Sequence, residues 1–147
     1  MTNNFFELIP GLWIGNRNSA NDYNLFKKNN IKCTINSEND LQFLLNREQQ
    51  YENNVINSSF NIKKTVKYLN ETSDFIHSNL EKLNHILVYC NTGLQFAPTI
   101  ALAFLIKYSR VNKTTAINYL ITKNESIFRD ILLLDNSINL FSKMYST

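Results

Sequence analysis

The 147-residue chain has few of the residues that break or cross-link a fold. It contains three glycines, two prolines and two cysteines. So little glycine and proline leaves almost no room for flexible linkers. Cys33 and Cys90 each end a β-like run, which is not the pattern of a disulfide framework. A chain of this length can bury about two-thirds of its unfolded surface. We therefore predict a single domain over residues 1–147.

Charge and long apolar runs are also scarce. Charged residues make up 18% of the chain, the net charge is +3, and the basic residues are scattered, so we expect no nucleic-acid partner. No apolar run approaches the ~20 residues of a membrane span, and no charged-then-apolar leader opens the chain. These absences predict a cytoplasmic protein with no membrane partner; we also expect neither metal nor cofactor. Asparagine is abundant, at 24 residues, which we attribute to an A+T-rich coding genome.

The most informative stretch is His85–Thr99. A β-branched and apolar run ends in Cys90, a five-residue loop with Gly93 follows, and a helix is predicted to start near Pro98. In such a loop, successive backbone N–H groups can converge on one point, and the helix N-terminus adds positive potential there. A cysteine at the rim would have its thiolate stabilised, which would make it a nucleophile.

This stretch resembles the phosphate-binding loop of the cysteine-dependent protein tyrosine phosphatases. Their signature is His-Cys, five residues, Arg, and Ser or Thr. The continuation Ala97–Leu105 is similar to the dual-specificity branch, which often reads Arg-Ser-Pro-Thr before an apolar helix. Cys90 and Gly93 match the signature, so the resemblance implies that Cys90 is a vestigial nucleophile. It also implies a phosphate loop formed by Asn91, Thr92, Gly93, Leu94, Gln95 and Phe96.

Three signature positions are degenerate in this chain. Tyr89 stands where the family has His, Phe96 where it has Arg, and Ala97 where it has Ser or Thr. The general-acid Asp of the family should fall at about Ser59 or Phe60. No acidic residue lies between Glu52 and Glu71. The resemblance therefore implies a fourth degenerate position at Ser59 and the loss of both acid catalysis and the arginine.

A second stretch, Pro10–Asn16, reads Pro-Gly-Leu-Trp-Ile-Gly-Asn and is similar to the opening strand of dual-specificity phosphatases. The sequence from Arg129 to Asn136 resembles the C-terminal part of the small poxviral members of that family. A large DNA virus is therefore an expected source. For a viral protein, the expected compartment is the host cytoplasm or the virion.

Strand-like and helix-like segments alternate, which predicts an α/β sandwich. The resemblance implies the three-layer protein tyrosine phosphatase-like fold, with a short central mixed sheet flanked by helices. Residues 41–45 are left open between one helical turn and a packed loop. We predict strands after the Pro10-Gly11 turn and at 31–36, 55–58 and 86–89. We predict helices from a Ser19 cap to about Lys28, at 63–80 with an Asn61 cap, at 98–108, from Asn112 or Thr114, and after an Asn136-Ser137 cap.

The loop itself has two possible states. Backbone N–H groups could still hold a phosphate or sulfate weakly without arginine, or the Phe96 ring could plug the pocket. A cation from elsewhere could replace the arginine, and the candidates are Arg17, Lys63, Lys64 and Arg129.

Three functions follow from the resemblance. The first is a catalytically inactive phosphatase-like protein, a pseudophosphatase, that binds a phosphoprotein or another protein partner. The second is a weakly active enzyme that uses Cys90 and a substituted cation on a phosphoprotein or an RNA 5′-triphosphate, a good leaving group that needs no general acid. The third is a structural or assembly role as a homodimer.

Overall fold

The computed structural model describes residues 4–38, 49–52 and 61–145, and for 49–52 only the backbone. The predicted strand 55–58, the open segment 41–45, and Ser59 and Phe60 lie outside the described residues. The strands are β1 Phe5–Ile9, β2 Leu12–Gly15, β3 Ile31–Asn36, β4 Gln49–Glu52 and β5 His85–Tyr89. The helices are α1 Arg17–Ala20, α2 Tyr23–Lys28, α3 Ile62–Glu81, α4 Phe96–Tyr108, α5 Lys113–Lys123 and α6 Asp135–Tyr145.

The strands form one mixed sheet in the order β1-β2-β5-β3-β4. β1 pairs antiparallel with β2, and every other pair is parallel. β5 therefore lies in the middle, flanked by β2 and β3. Because ligands of open α/β sheets bind beyond the carboxyl ends of the strands, the segment after β5 occupies a central position for a site.

Alternate residues of the strands face two separate cores. Ile86, Val88 and Cys90 pack with helices α3 to α6 on one face. Leu87 and Tyr89 pack on the other face with Ala20 of α1 and Phe26 of α2. Strands buried on both faces are typical of parallel sheets covered by helices. The structure thus confirms the predicted three-layer α/β fold.

Helix α4 lies at the centre of the larger core. Its ten residues from Ala97 to Ile106 are all buried. A helix that is apolar all round must be covered on every side, and α3, α5, α6 and the sheet cover this one. The helix predicted at 98–108 is confirmed, although α4 begins at Phe96 rather than Pro98. Pro98 is tolerated there because N–H groups in the first turn have no intrahelical acceptor.

Several element boundaries follow directly from the sequence. β3 spans residues 31–36 as predicted. The side chain of Asn61 accepts a hydrogen bond from Lys64 N and caps α3, and Asn112 caps α5 in the same way through Thr115 N. These caps were predictable because an asparagine before an apolar-periodic segment is a local signal.

Two predictions were wrong, and one strand was not predicted. Residues 17–28 form two short helices, which are capped by Asn16 and Asp22, so Ser19 is not a cap. The Asp22 carboxylate accepts hydrogen bonds from two backbone N–H groups and starts the second helix. The last helix begins at Asp135, where an acid favours the helix N-terminus, and not after an Asn136-Ser137 cap. Strand β4 was missed because Gln49–Glu52 is polar and lacks an apolar alternation.

No described helix is both long and apolar enough to cross a membrane.

Candidate active site

The loop between β5 and α4 carries Cys90. Cys90 follows the last residue of β5 and is fully buried within the larger core. Its Sγ accepts a hydrogen bond from Gly93 N at 3.2 Å, and the backbone N–H groups of Gln95 and Ala97 also point at it. The loop therefore closes around the thiol as the sequence pattern predicts.

The electrostatics of Cys90 oppose ionisation. Burial is the largest influence and raises the pKa of the thiol above its ordinary value of 9.0. The three backbone N–H groups lower the pKa, the nearby Glu38 carboxylate raises it, and the net pKa is raised. A nucleophilic cysteine needs the thiolate at neutral pH. The thiol of Cys90 is instead held protonated.

The segment from β2 to α1 braces this loop through backbone contacts. Cys90 N donates to Gly15 O at 3.3 Å, and Arg17 N donates to Asn91 O at 3.3 Å. Asn4, which precedes β1, adds a side-chain contact, in which its Nδ2 donates to Thr92 O at 2.8 Å. The two stretches singled out in the sequence are therefore in direct contact.

The close contact between the loop and the Gly15 backbone requires a glycine at Gly93. Its φ is +77°, and a Cβ placed there would lie 3.1 Å from the backbone C and O atoms of Gly15. Only glycine adopts such a conformation without strain and permits so close an approach of two backbones.

Gln95 ties the loop to the segment before α6. Its Nε2 donates to Ile131 O at 2.7 Å, and its Oε1 accepts from Leu133 N at 3.3 Å. Phe128 N donates to Leu94 O at 3.1 Å. Residues 128–133 therefore form one rim of the site. Sequence reasoning placed Gln95 in the loop but missed this tether, because no local pattern indicates a partner 36 residues away.

Glu38 is a site residue that sequence reasoning missed. Its Oε1 accepts a hydrogen bond from Asn91 N at 2.8 Å. The available signal was an acid two residues after β3, since β3 is the parallel neighbour of β5 and the carboxyl ends of adjacent parallel strands meet at one edge.

The chain is similar in sequence and in fold to known proteins. The family model "Dual specificity phosphatase, catalytic domain" matches residues 12–138. The chain belongs to the dual-specificity phosphatase family. A proposed tyrosine phosphatase, 123R of Invertebrate iridescent virus 6, is 28% identical over 61 residues, which cover 42% of this chain. The match spans only 43% of that viral protein.

Solved structures agree on the fold. Human DUSP28 superposes with a TM-score of 0.85 at 10% identity, covering 98% of this chain and 96% of that one. A leucine-rich-repeat and phosphatase-domain protein of Entamoeba histolytica gives 0.81 at 20% identity, covering 95% and 91%. The human tyrosine phosphatase-like serine/threonine/tyrosine-interacting protein gives 0.77 at 16% identity, covering 95% and 97%. At these identities the likeness establishes the fold alone.

The substituted signature positions are packed into the protein interior. Tyr89 is fully buried in the smaller core, on the face of the sheet opposite Cys90. Ala97 is fully buried, and its backbone N–H bonds the thiol. Phe96, the first residue of α4, is half-buried and packs against the larger core. Phe96 has no side-chain donor to offer an anion, and its ring is accommodated by packing.

No cation replaces the signature arginine among the described residues. The side chains of Arg17, Lys63, Lys64 and Arg129 are exposed, and none forms a hydrogen bond or ion pair with the loop. Arg17 lies next to the loop, but its contact is through the backbone. In the same described part of the chain, no group of histidine, cysteine and acidic side chains could hold a metal ion.

Proposed function

We propose that this member of the dual-specificity phosphatase family is catalytically inactive and acts by binding a protein partner. The observation that carries the proposal is Phe96 at the signature arginine position, where no cation of residues 4–38 and 61–145 forms an ion pair with the loop. An arginine fork holds two phosphate oxygens and stabilises transition-state charge. The loss of one such donor lowers the rate by about 10²–10³.

The state of the nucleophile supports the same proposal. The pKa of Cys90 is raised chiefly by burial, so the thiolate is scarce at neutral pH. A cation beside the thiol would offset that burial, and Phe96 supplies none.

The missing general acid adds a third loss. No acid lies between Glu52 and Glu71, where the family resemblance puts the catalytic Asp. General acid catalysis contributes about 10²–10⁴ in rate. The losses are not strictly additive, but together they remove ordinary phosphatase turnover.

The rim of the loop supplies apolar contacts for a partner. Ile131 and Leu133 are 58% and 46% exposed, and both are anchored to Gln95 through their backbones. Large apolar side chains held on an ordered backbone lose little entropy when a protein covers them. We assign this rim to partner contact. The viral relative fits a site of action in the cytoplasm of a host cell.

The direct test is hydrolysis of a fluorogenic aryl phosphate by the wild type and by Cys90→Ser. We expect the two proteins to give the same background rate. Hydrolysis by the wild type that disappears in Cys90→Ser would overturn the proposal. It would then favour the enzyme that uses Cys90 with a substituted cation.

A further inference from the structure

Glu38 is held at the phosphate loop by a short anchored segment. β3 ends at Asn36, whose Oδ1 accepts a hydrogen bond from Glu38 N at 3.0 Å. Between them, Ser37 donates from both its N and its Oγ to Tyr89 O, at 2.9 and 2.6 Å. These bonds fix the segment after β3 against the last residue of β5. The position of the Glu38 backbone beside the loop is therefore part of the fold.

The Glu38 side chain uses this position to bind the loop. Its Oε1 lies 2.8 Å from Asn91 N, the first backbone donor after Cys90. The side chain is half-buried. Backbone N–H groups in such a turn can bind an external anion. The Glu38 carboxylate uses one of these N–H groups in place of that anion.

The other donors of the loop also have internal acceptors. Gly93 N donates to Cys90 Sγ at 3.2 Å, and Leu94 N donates to Thr92 Oγ1 at 3.2 Å. Gln95 N also points at the thiol. With Asn91, four of the six backbone N–H groups from Asn91 to Phe96 are satisfied within the protein. Internal acceptors therefore take most of the donors that an anion in this loop would use.

We propose that Glu38 is an internal carboxylate ligand of the phosphate loop, which sets its specificity by excluding phosphoryl groups. This deepens the proposed function: the partner is bound without a phosphoryl group in the loop. The exclusion has two causes, which are the occupied Asn91 N–H and the like charge that Glu38 brings to the site. Within residues 4–38 and 61–145, no lysine or arginine forms an ion pair with Glu38 that would offset that charge.

The test is the binding of tungstate and inorganic phosphate, two tetrahedral oxyanions, measured by titration calorimetry. Glu38→Gln removes the charge and keeps an acceptor, whereas Glu38→Ala removes both. The matched control is Glu7→Gln, because Glu7 Oε2 also accepts a backbone N–H, that of Gly11 at 3.0 Å, away from the loop. Thermal unfolding of each variant confirms that it is folded.

We expect wild type and Glu7→Gln to bind neither anion measurably. Both Glu38 variants should bind at least about tenfold more tightly than the wild type, since a like charge within about 4 Å of a partly buried site costs at least that factor. A gain in Glu38→Ala alone would support occupancy of the N–H as the cause. Wild-type binding equal to that of the variants, or no gain in either variant, would overturn the inference. These readouts are independent of phosphatase activity, so they are distinguishable from a failure of the proposed function.

Discussion

The two sides of the Cys90–Phe96 loop are held by different kinds of interaction. On the β2–α1 side, the contacts run between backbones, from Cys90 to Gly15 and from Asn91 to Arg17. On the α4 side, where the family places its arginine and hydroxyl, Phe96 and Ala97 pack into the apolar core. Backbone contacts do not depend on the catalytic side chains. The backbone shape of the loop therefore does not require the arginine and the hydroxyl that the family places at its α4 side.

The substitution with the largest predicted effect disturbs the backbone contacts on the β2–α1 side of the loop. Gly93→Ala should lower the free energy of unfolding by about 3 kcal/mol, because it forces a Cβ at positive φ against the Gly15 backbone. Gly11→Ala is the matched control: its φ is +89°, but its Cβ would meet the flexible Leu80 side chain. That control should cost about 1–2 kcal/mol. Denaturant unfolding measures both, and equal costs would contradict the brace.

A second prediction concerns the buried thiols. Burial raises the pKa of Cys33 from 9.0 to about 12. Between these two pH values, the folded protein keeps a thiol proton that the unfolded chain releases. The stability due to Cys33 is therefore full below pH 9 and falls as the pH rises towards 12. At pH 10 the loss is roughly 1 kcal/mol relative to pH 7.

Cys90 should lose stability with the same sign, because its pKa is also raised. Unfolding of wild type, Cys33→Ala and Cys90→Ala at pH 7 and pH 10 measures both contributions. Each variant should show a smaller alkaline loss than the wild type. An undiminished loss in Cys90→Ala would mean that the pKa of Cys90 is not raised in the folded protein, and a larger loss would mean that Cys90 is a thiolate at neutral pH.

The smallest expected effect concerns the rim. Gln95→Ala removes the bonds to Ile131 O and Leu133 N and should cost about 1 kcal/mol. The amide of Leu133 should then exchange faster with solvent. Gln95→Glu keeps the acceptor for Leu133 N and should protect that amide. Unchanged exchange in Gln95→Ala would show that the rim is held without Gln95.

The sequence was sufficient for features that depend on neighbouring residues. Strand β3, the Asn61 and Asn112 caps and the buried helix α4 follow from local periodicity and capping. The family resemblance singled out Cys90 and its loop, which lie between β5 and α4. The two short helices α1 and α2 were merged because Asp22 competes with Ser19 as a cap, and a single sequence does not rank the two.

Features that depend on pairing between distant segments were not predictable. Glu38 reaches Asn91 because β3 and β5 are parallel neighbours, and Gln95 reaches Leu133 across the mouth of the site. Strand β4 exists because an edge position next to β3 accepts a polar segment. Each of these contacts can be predicted only when the order of the strands in the sheet is already known.

We propose that the loop keeps its backbone scaffold and has lost only the charged groups of the family signature. The most direct measurement is hydrolysis of a fluorogenic aryl phosphate by Phe96→Arg combined with Ser59→Asp. Phe96→Leu with Ser59→Asp is the control for the new cation, and Cys90→Ser added to the first pair tests the nucleophile. We expect activity in the first pair alone, because the introduced guanidinium offsets the like charge of Glu38 and lets a phosphoryl group enter the loop. No activity in that pair, or activity already present in the wild type, would contradict it.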